Sequence, residues 1–177
     1  MIVNKIEVGY LMENCYVISI GNDALIIDPG SEPEKIINLV GDKNVLAILV
    51  THYHFDHVGA LDVVKNKYNA LVIDYKCDKL NTIGPFNFEI IETKGHKEDS
   101  VTYYFKDDGI MFTGDFIFKN AIGRCDLEGG NFDEMLQSLR KIKNYNKKTI
   151  LYPGHGDKTT LEEEILNNEF LKVINNE

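Results

Sequence analysis

Five histidines occur in this chain of 177 residues. Three of them fall in the stretch Thr51-His52-Tyr53-His54-Phe55-Asp56-His57. Two histidines separated by one residue at a strand end can aim at a common point as the chain leaves a sheet. Asp56 and His57 then add a carboxylate and a third imidazole. Such nitrogen and oxygen donors are what a borderline divalent metal such as zinc requires. The other two histidines and one aspartate sit in similar settings: His96 after Thr93-Lys94-Gly95, Asp115 after Gly114, and His155 within Pro153-Gly154-His155-Gly156. Taken singly, each residue has a plainer role. His96 or His155 alone reads as an ordinary surface or core histidine, Asp56 equally as a helix N-cap, and Asp115 equally as a turn residue. Taken together, every histidine of the protein lies in a strand-end loop, and the plain roles do not explain that.

The elements that must position these residues follow from hydrophobic patterning. Leu46–Val50 is a continuous apolar run that reads as a buried strand, and the apolar residues after His57 predict a helix over about Val58–Tyr68. Earlier, Ile2–Val8, Cys15–Ile20 and Ala24–Ile27 read as strands of an antiparallel meander, and Pro33–Val40 as a helix. Later come strands at Ala70–Ile73, Phe88–Ile91, Val101–Phe105, Ile110–Phe112 and Thr149–Leu151, with a helix over Phe132–Lys143. Thr160 followed by Glu163 is a capping-box pattern. Two sheets packed face to face with helices outside would bury these runs.

Composition narrows the function classes. A net charge of −9 opposes broad attraction to nucleic acid or anionic membranes. No apolar run approaches the ~20 residues of a membrane span, and the first residues are charged too early for a secretory signal. Cys15, Cys77 and Cys125 are far apart without a C-x-x-C pair, which fits free thiols in a reducing, cytoplasmic setting. Cys15 and Cys77 read as small buried hydrophobes.

The set Thr51-His52-x-His54-x-Asp56-His57, Gly95-His96, Gly114-Asp115 and Gly154-His155-Gly156 resembles, in order, the metal-binding motifs of the metallo-β-lactamase superfamily. The match spans nearly the whole chain, and Asp28-Pro29-Gly30 resembles that superfamily's first motif. The resemblance implies an α/β (α+β) fold, a four-layer αββα sandwich in one domain over residues 1–177, with the site along one edge. It implies that His52, His54 and His96 hold one divalent metal and Asp56, His57 and His155 a second. Asp115 would bridge the two, and Asp28 would support the site from behind. Zinc suits this mostly nitrogen donor set, and iron or manganese is tolerated. Flavodiiron-type members carry glutamate where this chain has His54, which favours hydrolysis over oxygen reduction.

Phe112-Thr113-Gly114-Asp115-x-x-Phe118 with Ile122-Gly123-Arg124-Cys125-Asp126-Leu127-x-Gly129-Gly130, and the later Asn167-Asn168-Glu169-Phe170-Leu171, resemble short bacterial glyoxalase-II-like hydrolases. That resemblance implies cleavage of a small-molecule thiolester by a hydroxide between two metals, with Asp56 and Asp115 catalytic and Arg124 binding substrate. An ion pair between Arg124 and Asp126 is the equal alternative for that arginine. Few residues follow His155, so the C-terminal helical domain of full-length glyoxalase II is not expected. The loop Lys94–Ser100 also lacks the proline and glycine its relatives carry. Tyr10, Tyr53, Phe55, Phe116 and Phe118 are candidate substrate walls, with a plain core role favoured for each. The rival enzyme reading is a mononuclear iron persulfide dioxygenase using His52, His96 and Asp115. Lactone or β-lactam hydrolysis and a non-enzymatic metal-binding module rank below it.

Overall fold

The computed structural model describes residues 1–174. Two mixed sheets pack face to face. The first has the order β1-β2-β3-β4-β5, formed by Ile2–Val8, Glu13–Ile20, Asp23–Ile27, Asn44–Leu49 and Leu71–Ile73. The second contains β6 (Leu80–Ile83), β7 (Phe86–Glu92), β8 (Val101–Phe105), β9 (Ile110–Gly114), β12 (Ile150–Pro153) and β13 (Thr159–Thr160). Its order is β13-β12-β9-β8-β7-β6. A separate hairpin joins β10 (Ile117–Phe118) to β11 (Ala121–Ile122).

Side chains alternate across each strand, so a strand buried on both faces must be apolar at every position. In β3, Leu25 and Ile27 enter the inter-sheet core with Tyr16, Phe88, Tyr103 and Phe112, while Ala24 and Ile26 face the other way. There they meet Ile36 and Val40 of α1 (Pro33–Val40) and Val64 of α3 (Leu61–Tyr68). The second sheet's outer face is covered through Met135, Leu139 and Ile142 of α4 (Phe132–Ile142), Leu161 of α5 (Leu161–Asn167) and Leu171 of α6 (Glu169–Val173). The result is the expected αββα layering. Asn131 caps α4 by accepting from the amides of Asp133 and Glu134, and Thr160 with Glu163 forms the capping box on α5. Cys15 is buried, Cys77 is half-buried against the inter-sheet core, and all three cysteines are free.

Strand direction sets where the loops gather. β3 runs parallel to β4, and β12 parallel to β9, while β7 and β9 each run antiparallel to β8 and so share a direction. The chain therefore leaves each of these strands, within its own sheet, at a common end. The helix expected over Val58–Tyr68 is instead two: a single turn, α2 (Phe55–Val58), and then α3. The break lies at Gly59-Ala60. Gly59 packs against the Gly30 carbonyl where a side chain would not fit, and the Ala60 amide donates to the Pro29 carbonyl. That crossing fixes His57 over the first sheet.

Candidate metal centre

Four of these strand ends, those of β4, β7, β9 and β12, bring six candidate ligand positions into two groups, with Asp115 between them. His52 Nε2 and His96 Nε2 lie 3.1 and 2.8 Å from His54 Nδ1. On the other side, His155 Nε2 is 3.3 Å from Asp56 Oδ2. His57 joins this second group, and within each trio the ligand atoms lie within 4.8 Å of one another. Asp115 reaches both: Oδ1 is 3.2 Å from His57 Nε2 and 3.6 Å from His155 Nε2, and Oδ2 is 3.5 Å from His96 Nε2.

What lies behind each imidazole decides which nitrogen faces inward. His96 Nδ1 is 2.7 Å from the Arg124 carbonyl and His155 Nδ1 is 3.1 Å from the Leu11 carbonyl; a carbonyl only accepts, so these nitrogens carry the protons. His57 Nδ1 donates in the same way to Asp28 Oδ2 at 3.0 Å. Thr51 Oγ1 gives its proton to Asp28 Oδ2 at 2.6 Å, so it accepts from His52 Nδ1 at 3.1 Å. In all four rings Nε2 is the nitrogen left facing the cluster, the one a metal would take. His57 Nε2 and Asp115 Oδ1 are also buried with no hydrogen-bond partner despite their proximity. Buried donors and acceptors rarely stay unmatched without a ligand. The residues fit divalent metals.

Asp28 is the hub of this support. Its backbone is left-handed (φ 49°), which turns the carboxylate toward the Thr51 amide, its hydroxyl and His57. Gly154 is needed for close approach, because a side chain there would strike Asp115 Oδ1 and the His57 ring. Gly114 combines a positive φ of 49° with close contact to Thr51. Asp56 lies in the first turn of α2, and that helix has no side-chain cap, so the N-cap alternative does not apply.

The electrostatics divide the centre. Burial, reinforced by neighbouring histidines, lowers the pKa of His52 well below the usual imidazole value, and burial with His96 also lowers that of His54. Burial opposes a charge on His57 too, but Asp115 and Asp28 overcome it and raise its pKa well above the ordinary value. His155 is raised in the same sense, with burial outweighed by Asp56 and Asp115. The two aspartates respond in kind. Burial disfavours their ionised forms, yet the histidines keep both pKa values below the usual carboxylate value.

Arg124 makes the ion pair with Asp126 that its sequence also suggested. Its side chain is exposed and forms a bidentate pair with Asp126 through two 2.7 Å hydrogen bonds, while its carbonyl orients His96. It still lines the cavity of about 510 Å³ over the cluster, beside Phe118, Leu127 and Leu11. The aromatic candidates separate. Phe116 is buried in the layer beneath α4, and Tyr53 donates to Asp74 Oδ2 at 2.8 Å. Phe118 lies 6.1 Å from the His155 ring, while Tyr10 stacks on exposed Phe55.

Sequence patterning did not single out the residues that hold the His155 loop. Asn14 Nδ2 donates to the carbonyls of Pro153 and Gly156, and Tyr16 Oη donates to that of Pro153 at 2.6 Å. Glu13, fully buried beside His57, was also unmarked. The available signal was two polar residues, Glu13 and Asn14, opening a mostly apolar strand.

Comparison with known proteins agrees with this geometry. The model of the metallo-beta-lactamase superfamily matches residues 8–75 and 78–155. The "Probable metallo-hydrolase YqgX" of Bacillus subtilis (strain 168) is 35% identical over 94% of this chain and 96% of its own length. The hydroxyacylglutathione hydrolase GloC of Haemophilus influenzae is 29% identical, covering 97% and 98%. Among solved structures, the B3 metallo-beta-lactamase BLEG-1 superposes with a TM-score of 0.93 at 32% identity, covering 96% of this chain and 99% of its own. TTHA1623 in a di-iron-bound form gives 0.87 at 30%, covering 96% and 100%. The chain belongs to the metallo-β-lactamase superfamily and is a metal-dependent hydrolase.

Proposed function

We propose that this protein is a binuclear thiolester hydrolase built from one domain, acting on a small-molecule substrate in the cytoplasm. The observation that carries the reading is the pair of donor groups joined by Asp115, each with its ligand atoms turned toward a common point. His52, His54 and His96 would hold one metal; Asp56, His57 and His155 the other; Asp115 would be shared. The donor set favours zinc, with the di-iron TTHA1623 making iron the metal to test against it. Two such metals, when bound, supply a hydroxide at neutral pH and polarise a carbonyl.

The chain's own groups do the rest. Asp56, kept ionised beside His155, lines the cavity and is placed to orient the attacking water. Asp28 and Thr51 hold the imidazoles behind it rigid, which preserves the geometry through turnover. Among the described residues lining the cavity, Arg124 is the one ionisable side chain outside the ligand set, and a guanidinium does not give up its proton. A reaction without a dedicated general acid suits a thiolate, which leaves unprotonated, better than an amide nitrogen. The likeness to GloC points the same way. Arg124 is then available for an anionic group on the thiol half, provided that group displaces Asp126.

The likeness to BLEG-1 makes β-lactam cleavage the second reading to test. The zinc- and iron-loaded proteins should be compared on S-D-lactoylglutathione, a chromogenic cephalosporin and glutathione persulfide. Thiolester cleavage at least ~100-fold faster than the other reactions is expected. Oxygen consumption with the persulfide by a one-iron protein would instead establish the dioxygenase.

A further inference from the structure

A second cavity, of about 350 Å³, adjoins the metal-side cavity and shares Leu11, Phe55 and Asp56 with it. Its volume lies in the range of small-ligand sites (~300–1,000 Å³). Apolar side chains dominate its walls: Val8, Tyr10, Pro33, Ala60 and Val63, besides the shared pair. Arg124 lines the metal-side cavity alone. The outer wall is tied down, since Glu32 accepts from the Gly9 amide at 3.0 Å and pairs with Lys35 at 2.6 Å. Tyr10, Phe55 and Val63 are 82%, 62% and 51% exposed, an unusual cost for large apolar groups unless something covers them.

We infer that this cavity is an acyl subsite that takes the straight aliphatic chain of the thiolester. The inference rests on the hydrolase reading above. Asp56 belongs to both cavities, so a chain attached to a carbonyl held at the donor cluster can pass Leu11 and Phe55 into the apolar walls. The polar thiol half remains on the Arg124 side. A chain buried there gains roughly threefold to fourfold in affinity for each methylene.

The test combines binding with turnover on zinc-loaded protein. Calorimetric affinities for butyrate, hexanoate and octanoate should rise by roughly that factor per methylene. Val63→Lys, a change at an exposed position of α3, should flatten the series, and Val63→Trp should cap it at the shorter chains. Melting temperatures check that both variants fold. The kcat/KM values for acetyl, butyryl, hexanoyl and octanoyl thiolesters of one thiol should follow the same trends. Flat affinities in the wild type, or a rise that both variants retain, would overturn the subsite. Thiolester turnover without chain-length dependence would overturn it while leaving the hydrolase reading intact. Length-dependent binding with no cleavage of any thiolester would support the subsite and sink the hydrolase reading. A wild-type dimer that Val63→Lys dissociates, with flat affinities, would assign the face to a second copy of the chain.

Discussion

The two halves of the candidate metal centre use the same side chain in two electrostatic settings. The three-histidine half, His52, His54 and His96, is backed by a hydroxyl and a main-chain carbonyl, and burial lowers the pKa of His52 and His54. In the carboxylate half, Asp28, Asp56 and Asp115 overcome burial and raise the pKa of His57 and His155. His52 and His54 therefore offer lone pairs more readily than an ordinary imidazole, whereas a metal bound at His57 and His155 would compete with protons more strongly. Neighbouring carboxylates, rather than the imidazoles themselves, thus decide whether a metal site is paired with proton release.

The largest test of this comparison is Asp115→Ala, since the Asp115 carboxylate reaches histidines of both halves. Metal content should fall below one equivalent, and thiolester cleavage should drop on the order of 10³-fold or more. His155→Ala should remove the carboxylate-half metal while leaving close to one equivalent, as measured by elemental analysis. Equal losses in both variants would break the distinction between the halves.

Acidification should separate the halves next. The His57 and His155 pKa values lie above the ordinary ~6.5, so as pH falls their protons compete with metal sooner than those of an ordinary imidazole. The His52 and His54 values lie below it, so their lone pairs persist to lower pH. Lowering pH from about 8 to about 6 should therefore release one equivalent before the other. In the metal-free protein the linkage has the reverse sign for His57 and His155. Their stabilising protonation is complete below the unfolded pKa and is lost as pH rises through the raised folded values. Simultaneous loss of both metals would contradict the partition.

Asp28→Asn is a smaller perturbation. It retains the shape but removes the charge behind His57 and Thr51, and should weaken metal affinity about 10–100-fold, read by chelator competition. Arg124→Ala is the smallest. Its side chain is exposed and, among the described residues, paired with Asp126, so melting temperature and metal content should stay unchanged. KM for a glutathione thiolester should rise severalfold while kcat holds. An altered metal content would place the side chain, and not only the carbonyl, in support of His96.

The candidate ligands were legible in the sequence because metal chemistry restricts residue type, and a histidine after an apolar strand has few other reasons to recur. The layers were legible for a related reason: strands such as Ala24–Ile27, buried on both faces, must be apolar throughout. Other features depend on partners that no local pattern reports. Asn14 and Tyr16 hold a loop 137 or more residues away through main-chain carbonyls. The break between α2 and α3 is set by the Gly30 carbonyl against Gly59. The strand Leu80–Ile83 reads Leu-Asn-Thr-Ile, so its residue types do not alternate between apolar and polar. For Arg124, residue type drew attention to the guanidinium, whereas the contact with the metal centre is made by its backbone, a contribution that residue identity does not reveal.

The most direct measurement is a zinc titration of the metal-free protein, with bound metal and thiolester cleavage recorded on the same samples. Cleavage should stay near background through the first equivalent, which fills the three-histidine half, and rise with the second. Full activity at one equivalent, with no increase on adding another, would contradict a binuclear hydrolase.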